Sequence, residues 1–115
     1  MGILKRVCDE ILKDEDADLT VLKMAELSYM TDYFVIATAD SNVQMKSMRD
    51  RIIETLKEVH HPIVFYDKNS DHDWMIVDAG EVVIHIFTKK AREFYDLESL
   101  WSDAERVDPS KEDEG

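Results

Sequence analysis

The strongest constraint on this chain lies between Ser41 and Pro62. Met45, Met48, Ile52, Leu56 and Val59 recur at steps of three and four residues, the spacing that lines one stripe of an α-helix. Ser41 with Gln44 three residues on is a capping-box pattern, so the helix should start there. Pro62 forbids its continuation beyond His61, because proline has no N–H and excludes the residue before it from the helical region. A helix with one apolar stripe must lay that stripe on another layer of structure.

The other apolar runs supply that layer. Leu19 to Met24 reads as a strand, and Tyr33 to Thr38 is apolar and aromatic almost throughout, which marks a strand covered on both faces. Ile63 to Tyr66 is a short strand, and Asp67 to Asp73 is a polar loop. Trp74 to Val77 and Val82 to Phe87 flank Asp78-Ala79-Gly80-Glu81, where Gly80 supplies the positive φ that a tight hairpin turn needs. Ile3, Leu4, Val7, Ile11 and Leu12 predict an amphipathic first helix, closed by Asp14-Glu15-Asp16. Thr88 can cap a short helix through Tyr95, with Leu97, Leu100 and Trp101 continuing an apolar face onto the body. The expected order is α-β-β-α-β-β-β-α, a single α/β (α+β) domain with a mixed five-stranded sheet over residues 1–104. Residues 105–115, with Pro109 and five acidic side chains, are expected to be a solvated, disordered tail.

Charge narrows the function. Fourteen basic residues against twenty-six acidic ones give −12 over 115 residues. The excess is not confined to the ends, since nine basic against fifteen acidic residues remain between positions 19 and 104. Such a surface repels phosphate, because nucleic-acid affinity comes largely from Lys and Arg neutralising the backbone. Little direct RNA binding is expected, and a basic protein surface is the natural partner, with plain solubility as the bland alternative. The apolar runs are strand-sized, so no membrane span is expected. The lone Cys8 excludes an internal disulfide, fits a reducing cytosol and should be a small core residue of the first helix.

Catalytic signals are weak. Asp71, His72, Asp73 and Asp78 lie close in sequence, but their spacing matches no helical His pair and no Cys/His knuckle. His85 alternates within an apolar strand, where a hydrogen-bonded core or edge histidine is the commoner outcome. No Gly-x-Ser-x-Gly elbow exists, and the three glycines, Gly2, Gly80 and Gly115, cannot build a phosphate-cradling loop. Neither a metal nor a cofactor is expected. Trp74, Phe87, Arg92 and Tyr95 belong instead to the residue types that anchor protein interfaces. Trp74 and Phe87 read equally well as cross-strand core partners.

Three stretches carry a resemblance. Thr31 to Thr38, the block from Trp74 to Phe87 beginning W-x-x-x-D-x-G and ending H-x-F, and Arg92 to Trp101 with R-x-x-Y-x-L-x-x-L-W resemble the ribosomal silencing factor (Iojap) family. The likeness runs in register from the first helix to Trp101. It implies a nucleotidyltransferase-like fold without the catalytic motifs, and a cytoplasmic, non-enzymatic repressor of translation. Its implied partner is the large ribosomal subunit, bound through its fourteenth ribosomal protein so that the small subunit cannot join; members also form homodimers. By position, the implied contact surface falls on Trp74, Asp78, Ala79 and Phe87, with Arg92 and Tyr95 nearby, which tips Trp74 towards interface. The chain departs from the family where Ala39 follows Thr38, at Lys68 before the tryptophan, and at His60-His61-Pro62 after the long helix; glycine is usual at all three places. Two rivals remain: a nucleotidyltransferase-like enzyme whose Asp71, Asp73 and Asp78 hold magnesium, and a dimeric adaptor for another basic protein.

Overall fold

The structure, a computed structural model, describes residues 2–27, 31–68 and 73–112. Its centre is a six-stranded mixed sheet in the order β3-β4-β5-β2-β1-β6. Strand β2 (Tyr33–Ala39) runs parallel to β5 (Val82–Thr88), in register from Tyr33↔Val82 to Ala39↔Thr88. Both strands are buried nearly throughout, as their continuous apolar sequences require. On one side β1 (Thr20–Lys23) pairs antiparallel with β2. On the other, β4 (Trp74–Asp78) forms a hairpin with β5, and the two-residue β3 (Phe65–Tyr66) lies outside β4.

Helices α1 (Leu4–Ile11) and α2 (Asn42–Glu58) cover one sheet face. Helix α1 buries Leu4, Val7, Cys8 and Ile11, so Cys8 fills the core position expected of it. Helix α2 buries Met45, Met48, Ile52 and Leu56 against Val35, Val77, Ile84 and their neighbours. Ser41 accepts the N–H of Gln44 at 3.1 Å, while the Gln44 side chain accepts the N–H of Asp40, one residue before the usual return bond. Asp14, beyond α1, pairs with Arg51 of α2 and ties the two helices together.

The opposite face carries α3 (Lys89–Tyr95) and the single turn α4 (Leu97–Leu100). Thr88 caps α3 by accepting the Ala91 N–H at 3.2 Å. Asp96 takes the left-handed conformation at φ 46° and breaks the chain between the two helices. That turn corrects one expectation: Leu97 is buried and Trp101 half-buried, but Leu100 is swung out to 71% exposure.

A second correction concerns the C-terminal end. The chain from Glu105 to Glu112 belongs to the fold instead of trailing in solvent. Strand β6 (Glu105–Arg106) pairs with β1 and is the sixth strand that the sequence did not announce. Val107 packs on the main core, and Asp108 caps a 3₁₀ turn, Pro109–Lys111, by accepting the Ser110 N–H. Glu112 accepts the Tyr33 hydroxyl at 2.7 Å. Acidic composition marked these residues as solvated, yet one valine and a few polar contacts to β1 and β2 are enough to hold them. Residues 113–115 lie outside the described residues.

The departures from family glycines have distinct local outcomes. Ala39 ends β2 as a buried strand residue, and Lys68 has no positive φ, so neither position demands glycine here. His60 is different. It sits at φ 57° just past α2, with its N–H bonded to the Lys57 carbonyl and the His61 N–H to the Leu56 carbonyl. Those two bonds form a Schellman closure, whose left-handed position favours glycine. A side chain there costs roughly 1–2 kcal/mol, of which glycine's looser unfolded chain would return part. His60→Gly should therefore stabilise the protein by about 0.5–1 kcal/mol and raise Tm by about 2–5 °C, measured by thermal unfolding; an unchanged or lowered Tm contradicts the strain at His60.

Candidate functional site

The two sheet faces are unequally covered. Strand alternation puts Met75, Val77, Ile84, Ile86 and Val35 under α1 and α2. Paired residues share a face, so Trp74↔Phe87, Ile76↔His85 and Asp78↔Val83 point the other way, with Phe34 beside Val83 and Ile36 beside His85. The short α3–α4 pair covers only part of this second face, over Phe87, Ile36 and Leu22. Phe34, Trp74, Ile76 and Val83 are left half-buried, and Phe65 on β3, opposite Asp78, is 54% exposed. The result is an apolar sheet surface without a full helical cover.

Its centre is a cluster of rings. The Trp74 indole stacks on Phe87 at 5.1 Å between centroids and 28° between planes. Tyr95, at the end of α3 and 49% exposed, lies 4.9 Å from it. The indole Nε1–H donates to Nδ1 of His85 at 3.1 Å. His85 is itself buried between Phe34, at 4.6 Å, and Phe87, at 6.3 Å. Burial pushes its ring down from 6.5 to about 4, so it is neutral at ordinary pH. Trp74 is thus fixed in orientation by one hydrogen bond and two ring contacts while one side stays accessible. An anchored, half-exposed indole is well suited to meet another protein, since little rotamer freedom is lost on contact.

The six sequence-derived positions separate on this structure. Trp74, Phe87 and Tyr95 come together, but Phe87 is fully buried and acts as a floor for the indole. Asp78 lies at the other end of β4, and its Oδ1 accepts the Gly80 N–H at 2.8 Å, shaping the turn in which Gly80 takes φ 82°. Ala79 is buried; its N–H donates to the Val82 carbonyl and its own carbonyl meets Nε2 of His61 at 2.9 Å. His61, part of the stretch that replaces a family glycine, therefore braces the hairpin turn. Arg92 faces inward. It holds Glu98 at 3.0 Å, the Thr38 and Thr20 hydroxyls at 2.9 Å each, and the Asp18 carbonyl, locking α3 and α4 onto the sheet. Through its hydrogen bond to Glu98, Arg92 keeps that carboxyl below its usual range. Direct partner contact by Phe87, Ala79 or Arg92 is not what these surroundings support.

Among the described residues, metal-dependent chemistry finds no corresponding arrangement. Asp71 and His72 lie outside the described residues. Asp73 and Asp78 flank an extended strand and stand roughly 16 Å apart along it, too far to share an ion. Among the described residues no group of three or more His, Cys, Asp or Glu side chains could hold a metal. A cleft of about 810 Å³ lies elsewhere, between Glu15, Asp16, Asp40 and the Arg92–Glu98 pair, and no glycine lines it. No helix among the described residues is long and apolar enough to cross a membrane.

Several residues of the open face escaped the sequence reading. Ile76 was recoverable, because strict alternation places it between Trp74 and Asp78 on one side of β4. Phe34, Val83 and Phe65 were not, since their membership depends on strand register and on where α3 and α4 stop.

Comparison with known proteins adds an independent line. Residues 3–115 match the family model described as "Ribosomal silencing factor during starvation". A protein named ribosomal silencing factor RsfS from Bacillus subtilis is 33% identical over 108 residues, covering 94% of this chain and 89% of the relative. One of the same name from Chromobacterium violaceum is 32% identical over 99 residues, covering 85% of this chain and 81% of its own. A crystal structure of a Chromobacterium violaceum protein superimposes with a TM-score of 0.82 at 30% identity, covering 89% of this chain and 88% of that one.

The buried imidazole makes the fold acid-sensitive. A histidine whose folded pKa lies below its unfolded one stabilises the protein above pH 6.5 and loses that contribution as pH falls towards 4. Between pH 8 and 4.5 the wild type should lose about 2–3 kcal/mol more unfolding free energy than His85→Asn, followed by urea denaturation. Parallel losses in the two proteins contradict the placement of a neutral, buried imidazole.

Proposed function

The chain belongs to the family of ribosomal silencing factors, and from that premise we propose that it represses translation as a non-enzymatic cytoplasmic binder. It docks on the large ribosomal subunit through that subunit's fourteenth ribosomal protein and stands where the small subunit must join. The observation that carries this reading is the half-open aromatic sheet face around Trp74, borne on a chain of net charge −12. An apolar patch left uncovered on a small domain marks an interaction surface. The net negative charge of the chain favours a basic protein over ribosomal RNA, whose phosphates it repels. Asp78 and Glu81, at the hairpin end of the same region and both partly exposed, are placed to meet Lys or Arg side chains at the rim. Silencing by this route needs only bulk, and a standard interface takes roughly 800 Å² from each partner. The chain exposes 6855 Å² in all, so it can supply that area and still project from the subunit.

Trp74→Ala should weaken co-sedimentation with isolated large subunits by about tenfold to a hundredfold and abolish inhibition of subunit joining, with the circular dichroism spectrum unchanged. Undiminished binding by a folded Trp74→Ala protein contradicts the proposal.

A further inference from the structure

One polar atom of the open face has no hydrogen-bond partner. Among the described residues, Nε2 of His85 is the buried side-chain nitrogen or oxygen that lacks a hydrogen-bond partner. Its chemistry follows from the other ring nitrogen. Nδ1 accepts the Trp74 indole proton, and a neutral imidazole carries a single proton, so that proton resides on Nε2 and makes it a donor. A buried N–H donor without an acceptor is costly and rare in native structures. Nε2 also lies at the edge of the ring away from Cβ, and side chains stand roughly perpendicular to the sheet. It is therefore on the outward side of the face proposed for docking. Of the two half-exposed rings beside it, Trp74 is held by its hydrogen bond to Nδ1, so Phe34 is the one that has to turn aside for Nε2 to be reached.

We propose that the Nε2–H of His85 is a donor held in reserve for the docked partner, where a main-chain carbonyl accepts it. The inference rests on the docking function above and identifies a specificity contact within it. The carbonyl is singled out by chemistry. A basic partner offers Lys and Arg side chains, which donate and do not accept. A carboxylate would have to shed its water in a cage of Phe34, Trp74 and Phe87 rings, whereas a neutral carbonyl loses far less on entering it. The competing fate of this proton is the ring of Phe34, 4.6 Å away at 65°, a weaker interaction internal to the fold.

Two substitutions separate these fates. In His85→Asn the amide oxygen reaches the level of Nδ1 and can still accept from Trp74, but the outer donor is gone. In His85→Gln the longer side chain returns an amide N–H to the level of Nε2. Binding of the full chain to isolated large subunits is measured alongside thermal unfolding of the free protein. We expect His85→Asn to fold with little change in Tm and to bind at least tenfold more weakly, while His85→Gln binds within about threefold of wild type. Wild-type affinity in His85→Asn, or equal losses in both variants, overturns the inference; failure of either to fold does so too, by assigning the imidazole to the core. Absence of wild-type binding would overturn the docking function itself. Wild-type binding weakened by Trp74→Ala but untouched by His85→Asn removes this inference alone.

Discussion

The parallel seam between β2 and β5 determines most of what this molecule can do. Seven residues of each strand lie in register, from Tyr33↔Val82 to Ala39↔Thr88. A parallel pair must be reached through a crossover, and here the chain between the strands supplies α2, β3 and β4. Helix α2 takes one face of the seam together with α1. The other face is left to α3 and α4, which span only residues 89–100 and are separated by the left-handed Asp96. Two short helices cannot cover six strands, so an apolar surface remains open around Trp74.

That unequal cover gives the family assignment a physical basis. Arg92 holds α3 and α4 firmly over Phe87 and Leu22, which sets the boundary of the open patch. Phe87 then supports the indole from below, and His85 fixes its orientation through Nδ1. Several residues in the most recognisable sequence block thus position Trp74 and shape the turn without being exposed themselves. In the docking proposed above, the net charge of −12 is the longer-range element, favouring basic protein over phosphate.

Much of the fold was legible in the sequence because its signals were local. The Ser41 cap, the Met45-to-Val59 stripe and the Pro62 stop define α2, and Gly80 marks the hairpin; all four reappear as expected, with only the reciprocal cap bond shifted to Asp40. Strand β6 was missed because its two residues have no pattern of their own and exist only by pairing with β1. Leu100 was misplaced because one apolar face was carried from Leu97 to Trp101, although the left-handed Asp96 starts a separate turn that points Leu100 outward. Among the sequence-derived positions, residue type singled out Trp74, Phe87, Arg92 and Tyr95, but type cannot distinguish an exposed side chain from a buried one. The buried Phe87 and Ala79 and the inward Arg92 needed the tertiary arrangement, as did the roles of Phe34, Val83 and the outer nitrogen of His85.

The central claim is that the indole at position 74 meets a basic ribosomal protein. A photo-crosslinking phenylalanine analogue placed at position 74, irradiated on isolated large subunits and followed by mass spectrometry, tests it most directly. The predicted product is a crosslink to the fourteenth large-subunit protein, suppressed by excess unlabelled chain. Crosslinks to ribosomal RNA, or to a different ribosomal protein, would contradict the account.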